Sequence, residues 1–163
     1  MKITRDTTLF FDASVLVAGA HSETGGSALL LEACKLGGFT AQVTSLVVVE
    51  ATHVLERDFP YRSLARLYDL LAGIDWHLLA VPAGERLETY ASLIDAKDIH
   101  VLAAAVEGES DFLLTLDRKH ILAAAERVQE AGLPIQILTP GDFIRRIYPL
   151  HETYTSLPPQ RDR

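Results

Sequence analysis

One cysteine, Cys34, is too few for an intramolecular disulfide framework or a multi-cysteine zinc site. It fits a reducing compartment. Basic residues are also short: 15 Lys and Arg face 22 Asp and Glu, giving a formal net charge of −7. That imbalance argues against indiscriminate nucleic-acid binding through bulk charge, yet it leaves carboxylates free to hold a cation. No apolar run approaches the roughly 18 residues of a membrane span. Met1-Lys2-Ile3-Thr4-Arg5-Asp6 leads into no apolar signal segment, so the sequence points to the cytoplasm. The glycine pairs Gly25-Gly26 and Gly37-Gly38 build neither a G-x-x-x-x-G-K-[ST] phosphate loop nor a G-x-G-x-x-G dinucleotide turn. The G-x-S-x-G elbow of serine hydrolases is missing too.

What is present reads as one globular domain. A chain of 163 residues buries roughly two-thirds of its unfolded surface. Short apolar runs alternate with helix-period segments. Leu9–Phe11, Ala41–Thr44, Leu78–Val81, Phe112–Thr115 and Ile135–Leu138 read as strands. Helices are expected in the segment from Ala28 to Leu36 and over Leu46–Arg57, Tyr61–Ala72, Glu85–Leu93, Ile99–Val106, Ile121–Ala131 and Asp142–Ile147. This alternation predicts an α/β fold with a parallel sheet covered on both faces. The domain is expected over residues 1–149, with a loose tail over 150–163 that carries Pro158-Pro159.

In parallel sheets, sites form beyond the carboxyl ends of the strands, where strand order reverses. Asp12 directly follows the first strand run and Asp117 the fourth. Glu50 and Asp98 stand in the early turns of helices. Four ionised carboxylates share a small cleft only with a cation present, because mutual repulsion otherwise raises their pKa values. Oxygen ligands suit Mg²⁺ or Mn²⁺. Two such ions suit phosphodiester hydrolysis. Each acid also has a simpler reading. Asp12 is placed to cap the next helix, and Asp117 the helix at Ile121. Glu50 is placed as a solvated helix residue. Asp95 and Asp98 have capping-box spacing, with Asp95 as N-cap.

Four motifs stand in order: Phe10-Phe11-Asp12-Ala13-Ser14-Val15-Leu16, Val48-Val49-Glu50-Ala51, Asp98-Ile99-His100-Val101-Leu102-Ala103-Ala104-Ala105 and Leu114-Thr115-Leu116-Asp117-Arg118. On these the chain, from about Leu9 to Leu138, resembles a PIN domain. This nuclease family includes the VapC-like toxins of VapBC toxin–antitoxin pairs. The resemblance implies a three-layer α/β/α sandwich with a parallel sheet of four or five strands, and Mg²⁺- or Mn²⁺-dependent cleavage of RNA. Asp12, Glu50, Asp98 and Asp117 match the family's metal-binding acids, and Ser14 and Thr115 its supporting hydroxyls. Asp95 is an extra acid that either caps its helix, the favoured reading, or rotates into the site as a supporting residue. The resemblance also implies a homodimer and, for a toxin, an antitoxin protein as partner. The RNA-holding residues expected near the cleft are Arg118 and Lys119, with Arg57, Arg62 and Arg66 on helices, but none forms a dense run.

Three histidines lie close in sequence to these acids. On an ideal helix His100 points about 200° away from Asp98. His53, three residues beyond Glu50, is then the better-placed imidazole, although packing or surface placement is the expected role of both, and His120, three residues after Asp117, is open to the same two readings. Two rival readings remain: a non-catalytic PIN-like module binding RNA or protein, and a receiver-like phosphorylation domain. The second wants an Asp after the third strand, where Val81-Pro82 stands.

Overall fold

The computed structural model describes residues 1–160. Its centre is β1 (Thr8–Phe11), where Leu9, Phe10 and Phe11 are all fully buried. A strand buried on both faces needs cover on both, and it reads as the continuous apolar run seen here. β2 (Thr40–Thr44) and β3 (His77–Leu79) lie to one side of β1, and β4 (Phe112–Leu114) and β5 (Gln136–Leu138) to the other. The order is β3-β2-β1-β4-β5, all parallel, with Phe11 opposite Leu114.

The helices are α1 (Ala13–His21), α2 (Gly26–Lys35), α3 (Ser45–Asp58), α4 (Tyr61–Gly73), α5 (Glu85–Glu88), α6 (Ile99–Glu107), α7 (Ala125–Glu130) and α8 (Pro140–Arg146). They complete the expected α/β/α sandwich. The valine run Val47-Val48-Val49 sits inside α3 despite its strand propensity, because only Val47 needs full burial and Thr44 Oγ1 caps the first turn by accepting from Val47 N (3.2 Å). α6 is buried from Val101 through Ala105, and its three consecutive alanines give neighbouring elements room to approach.

Three local expectations change. Ala13–His21, to which the sequence reading assigns no element, is helical, with Val15, Leu16 and Ala20 buried. The helix expected over Glu85–Leu93 stops at Glu88, and no residue of that short helix is buried. The helix expected from Ile121 starts as a 3₁₀ turn at Leu122–Ala124 and becomes α7 at Ala125. Gly132 closes it at φ +75°, a backbone state that glycine adopts without strain.

The segment from residue 150 is not loose up to Gln160; Arg161–Arg163 lie outside the described residues. His151 bridges Ile3, and its imidazole meets the Gly38 carbonyl at 2.6 Å. Tyr148 donates to the Pro158 carbonyl at 2.7 Å, and Leu157 is buried. Apolar and aromatic residues after the last helix therefore tie the segment down where prolines alone suggest a free end. Burial pushes the Tyr148 hydroxyl up to about 12, so it is a neutral donor across the physiological range. Tyr148→Phe removes that donor and leaves a buried carbonyl unpaired, at an expected cost of about 1–3 kcal/mol. Urea denaturation checks this; unchanged stability overturns the role given to the bond.

Candidate active site

Strand order reverses between β1 and β4, so the chain leaves the carboxyl edge of the sheet in opposite directions there. This is where a crevice opens in parallel α/β sheets. Asp12 sits at that point, only 4 % exposed. Its backbone N–H continues the pairing to Leu114 O (3.1 Å). Its side chain makes no helix-cap bond, so the simple capping reading fails for this residue. Instead, Asp12 Oδ2 accepts from Ser14 Oγ (2.7 Å) and Thr115 Oγ1 (2.9 Å).

The two hydroxyls also bind the neighbouring loop. Ser14 Oγ accepts from Leu116 N (2.9 Å), and Thr115 Oγ1 accepts from Asp117 N (3.0 Å). Each is thus oriented to donate to Asp12. Together they join the ends of β1 and β4 through one carboxylate oxygen. Asp117 closes the turn that follows β4 and makes no cap bond to the helical turn at Leu122–Ala124. Its Oδ1 accepts from Lys119 N (3.2 Å) and His120 N (3.0 Å), closing the turn, while Oδ2 lies 3.4 Å from His120 Nδ1.

Asp98 comes in at the start of α6, 7 % exposed. Asp95 Oδ1 accepts from Lys97 N (3.2 Å), so Asp95 is a cap, as its spacing predicts. The reciprocal half of the capping box does not form: Asp98 makes no cap bond, and its buried Oδ2 has no hydrogen-bond partner among the described residues. Burial, together with the charges of Asp117, Asp12 and Glu50, pushes Asp98 up to about 6, against relief from Lys97. Glu50, on α3 at the exposed side, is also raised, chiefly by desolvation and then by Asp12, with His100 and Lys97 opposing. The four acids therefore act on one another and occupy one neighbourhood.

His53 is exposed. His100 is half-buried, and its Nδ1 is buried without a hydrogen-bond partner among the described residues. Asp98 itself ends a 3₁₀ turn at φ −107°, ψ 1°, just before the helix that begins at Ile99. Lys97, which the sequence reading passes over, supplies positive charge to both Asp98 and Glu50. Its position beside Asp98 was the available signal. Arg57 is paired with Asp58 at 2.9 Å, and Arg66 with Glu23 at 2.6 Å. Arg118 and Lys119 are exposed beside the cleft. A separate cavity of about 640 Å³, lined in part by Leu29, Glu32, Ile144 and Leu157, contains none of the four acids.

The donor set fits a divalent cation. It is oxygen-rich, its charges repel one another, and Asp98 buries an acceptor with no protein donor. A five-stranded parallel sheet covered by helices, with acids gathered at its switch point, defines the fold class as a PIN-like α/β sandwich. The sequence matches the PIN domain family over residues 8–119, and the chain belongs to that family. Among solved structures it is similar to VapBC2 from Rickettsia felis, determined bound to a DNA fragment from its promoter. The TM-score is 0.55 and the identity 14 %, covering 81 % of this chain and 99 % of that one. It is also similar to a domain of a functionally unknown protein from Methanocaldococcus jannaschii, with TM-score 0.49 and 20 % identity, covering 81 % of this chain and 91 % of that one. No curated protein matches the sequence. None of the described helices is long and apolar enough to cross a membrane.

Proposed function

We propose that this chain is a divalent-cation-dependent endoribonuclease that hydrolyses RNA phosphodiesters in the cytoplasm. We propose further that it is the VapC-like toxin of a toxin–antitoxin pair and works as a homodimer. The observation that carries the nuclease reading is the buried, unpartnered Asp98 carboxylate within a cluster of mutually repelling acids. A protein with no cation to bind gains nothing from burying such a group. Membership of the PIN domain family supports the same reading.

Asp12, Asp98 and Asp117 are the residues to hold a Mg²⁺ or Mn²⁺ ion, with Glu50 binding or orienting a second. When bound, such an ion lowers the pKa of a water and offsets charge on the phosphoryl group. The chain's own work is positional. Ser14 and Thr115 fix the Asp12 carboxylate by two donated bonds. The turn at Lys119 and His120 commits one oxygen of Asp117 and leaves the other facing the cleft. Arg118 and Lys119 offer exposed positive charge for the RNA backbone, which no bulk charge of the chain supplies.

The test is cleavage of single-stranded and structured RNA with and without chelator. EDTA should abolish cleavage, and excess Mn²⁺ should restore it. Cleavage that persists in EDTA sinks the mechanism. Carboxylate-independent RNA binding without any cleavage supports the non-catalytic module instead.

A further inference from the structure

An imidazole stands among the acids. A ring nitrogen of His120, an oxygen of Asp117 and an oxygen of Asp98 present ligand atoms all within 4.8 Å of one another. The ring is 27 % exposed at its side chain, open enough to reach an ion from solvent. A four-residue turn holds it there, since Asp117 Oδ1 accepts the His120 backbone N–H. That bond leaves Asp117 Oδ2 as the oxygen facing the ring. The third atom comes from a different element, the start of α6.

An ordinary His–Asp ion pair explains two of these three groups. It does not explain Asp98, which is only 7 % exposed, brings a carboxylate oxygen to the same group and has a buried Oδ2 with no hydrogen-bond partner among the described residues. Three ligand atoms spread evenly on a sphere of about 2.1 Å radius lie about 3.6 Å apart. An inward shift of at most about 0.7 Å per ligand atom therefore lets one ion touch all three groups.

We propose that His120 is a nitrogen ligand which, with Asp98 and Asp117, makes a mixed imidazole–carboxylate seat favouring a first-row transition ion over Mg²⁺. This rests on the metal-site reading above and deepens it. Imidazole suits borderline ions, whereas Mg²⁺ holds to oxygen and resists dehydration. The acids alone set no such preference between Mg²⁺ and Mn²⁺.

The probe is Mn²⁺ itself, added to the full chain and followed by pulsed EPR and titration. A ¹⁴N hyperfine coupling on bound Mn²⁺ is expected. It should vanish in His120→Gln and persist in both His53→Ala and His100→Ala. Mn²⁺ affinity should fall about tenfold in His120→Gln while Mg²⁺ affinity stays nearly constant. Bound Mn²⁺ with no ¹⁴N coupling overturns the proposal and leaves the acidic metal site standing. A coupling lost only in His100→Ala overturns it too, moving the nitrogen to α6. Failure of Mn²⁺ to bind at all brings down both this proposal and the metal-site reading.

Discussion

Asp12→Asn should lower Mn²⁺-dependent RNA cleavage by about 10³-fold or more, as loss of a group that acts only within a catalytic unit does. It should leave the fold intact. Asp12 is buried and its Oδ2 receives two hydroxyl donors, so alanine would leave Ser14 and Thr115 aimed at nothing. Asparagine keeps a carbonyl oxygen for both of them. Only the charge is lost, and with it the ability to attract a cation. The substitution thus separates chemistry from architecture. Circular dichroism and urea midpoints should match the parent, while cleavage and the Mn²⁺-induced rise in Tm both disappear. Full cleavage by a folded Asp12→Asn protein excludes the assigned role. An unfolded variant would be uninformative about chemistry, and Asp117→Asn is the second arm. Its Oδ1 can still accept from Lys119 N and His120 N, so that turn also survives.

Much of this neighbourhood was legible before any coordinates, for definite reasons. β1 reads as buried because Leu9, Phe10 and Phe11 leave it no polar face, and it proves to be central. Asp12 and Asp117 read as site residues because each ends such a run, and parallel pairing of β1 with β4 brings those ends together. What failed had physical causes too. α1 is missed because its small residues, Ala13, Ala18, Gly19 and Ala20, give little periodic contrast. The 3₁₀ turn that carries Asp98 into α6 left no periodic signal, because it spans only Ala96–Asp98. The tail is misjudged because Pro158-Pro159 signals irregular backbone, not exposure, and Pro158 is buried. Pairing of Arg57 and Arg66 with acids depends on side-chain reach; Glu23 lies 43 residues from Arg66.

Replacing Asp98 by Asn should make the metal-free protein more stable, not less. The carboxyl is raised from 3.8 to about 6 by burial and by three neighbouring acids. Between those values the folded state binds more protons than the unfolded state, so stability falls as pH rises through that window. Above about pH 6 the whole penalty is in place, on the order of 3 kcal/mol at most. Asparagine is neutral and nearly isosteric, and its amide can donate toward Asp117 or Glu50. The expected gain at pH 8, in EDTA, is on the order of 1–3 kcal/mol, or about 2–4 °C in Tm per kcal/mol. At pH 4 the wild-type carboxyl is already protonated in the fold, and the gain should vanish. Divalent ions invert the comparison: Mn²⁺ stabilises the wild type by binding the folded state, and does so far less for the variant. Thermal melts at pH 4 and pH 8, with EDTA or Mn²⁺, resolve all four conditions. A variant less stable than wild type at pH 8 in EDTA would falsify the electrostatic account. The same burial that costs the apo protein stability keeps an unpartnered oxygen ready for a cation, so the strain at Asp98 and the proposed chemistry have one cause.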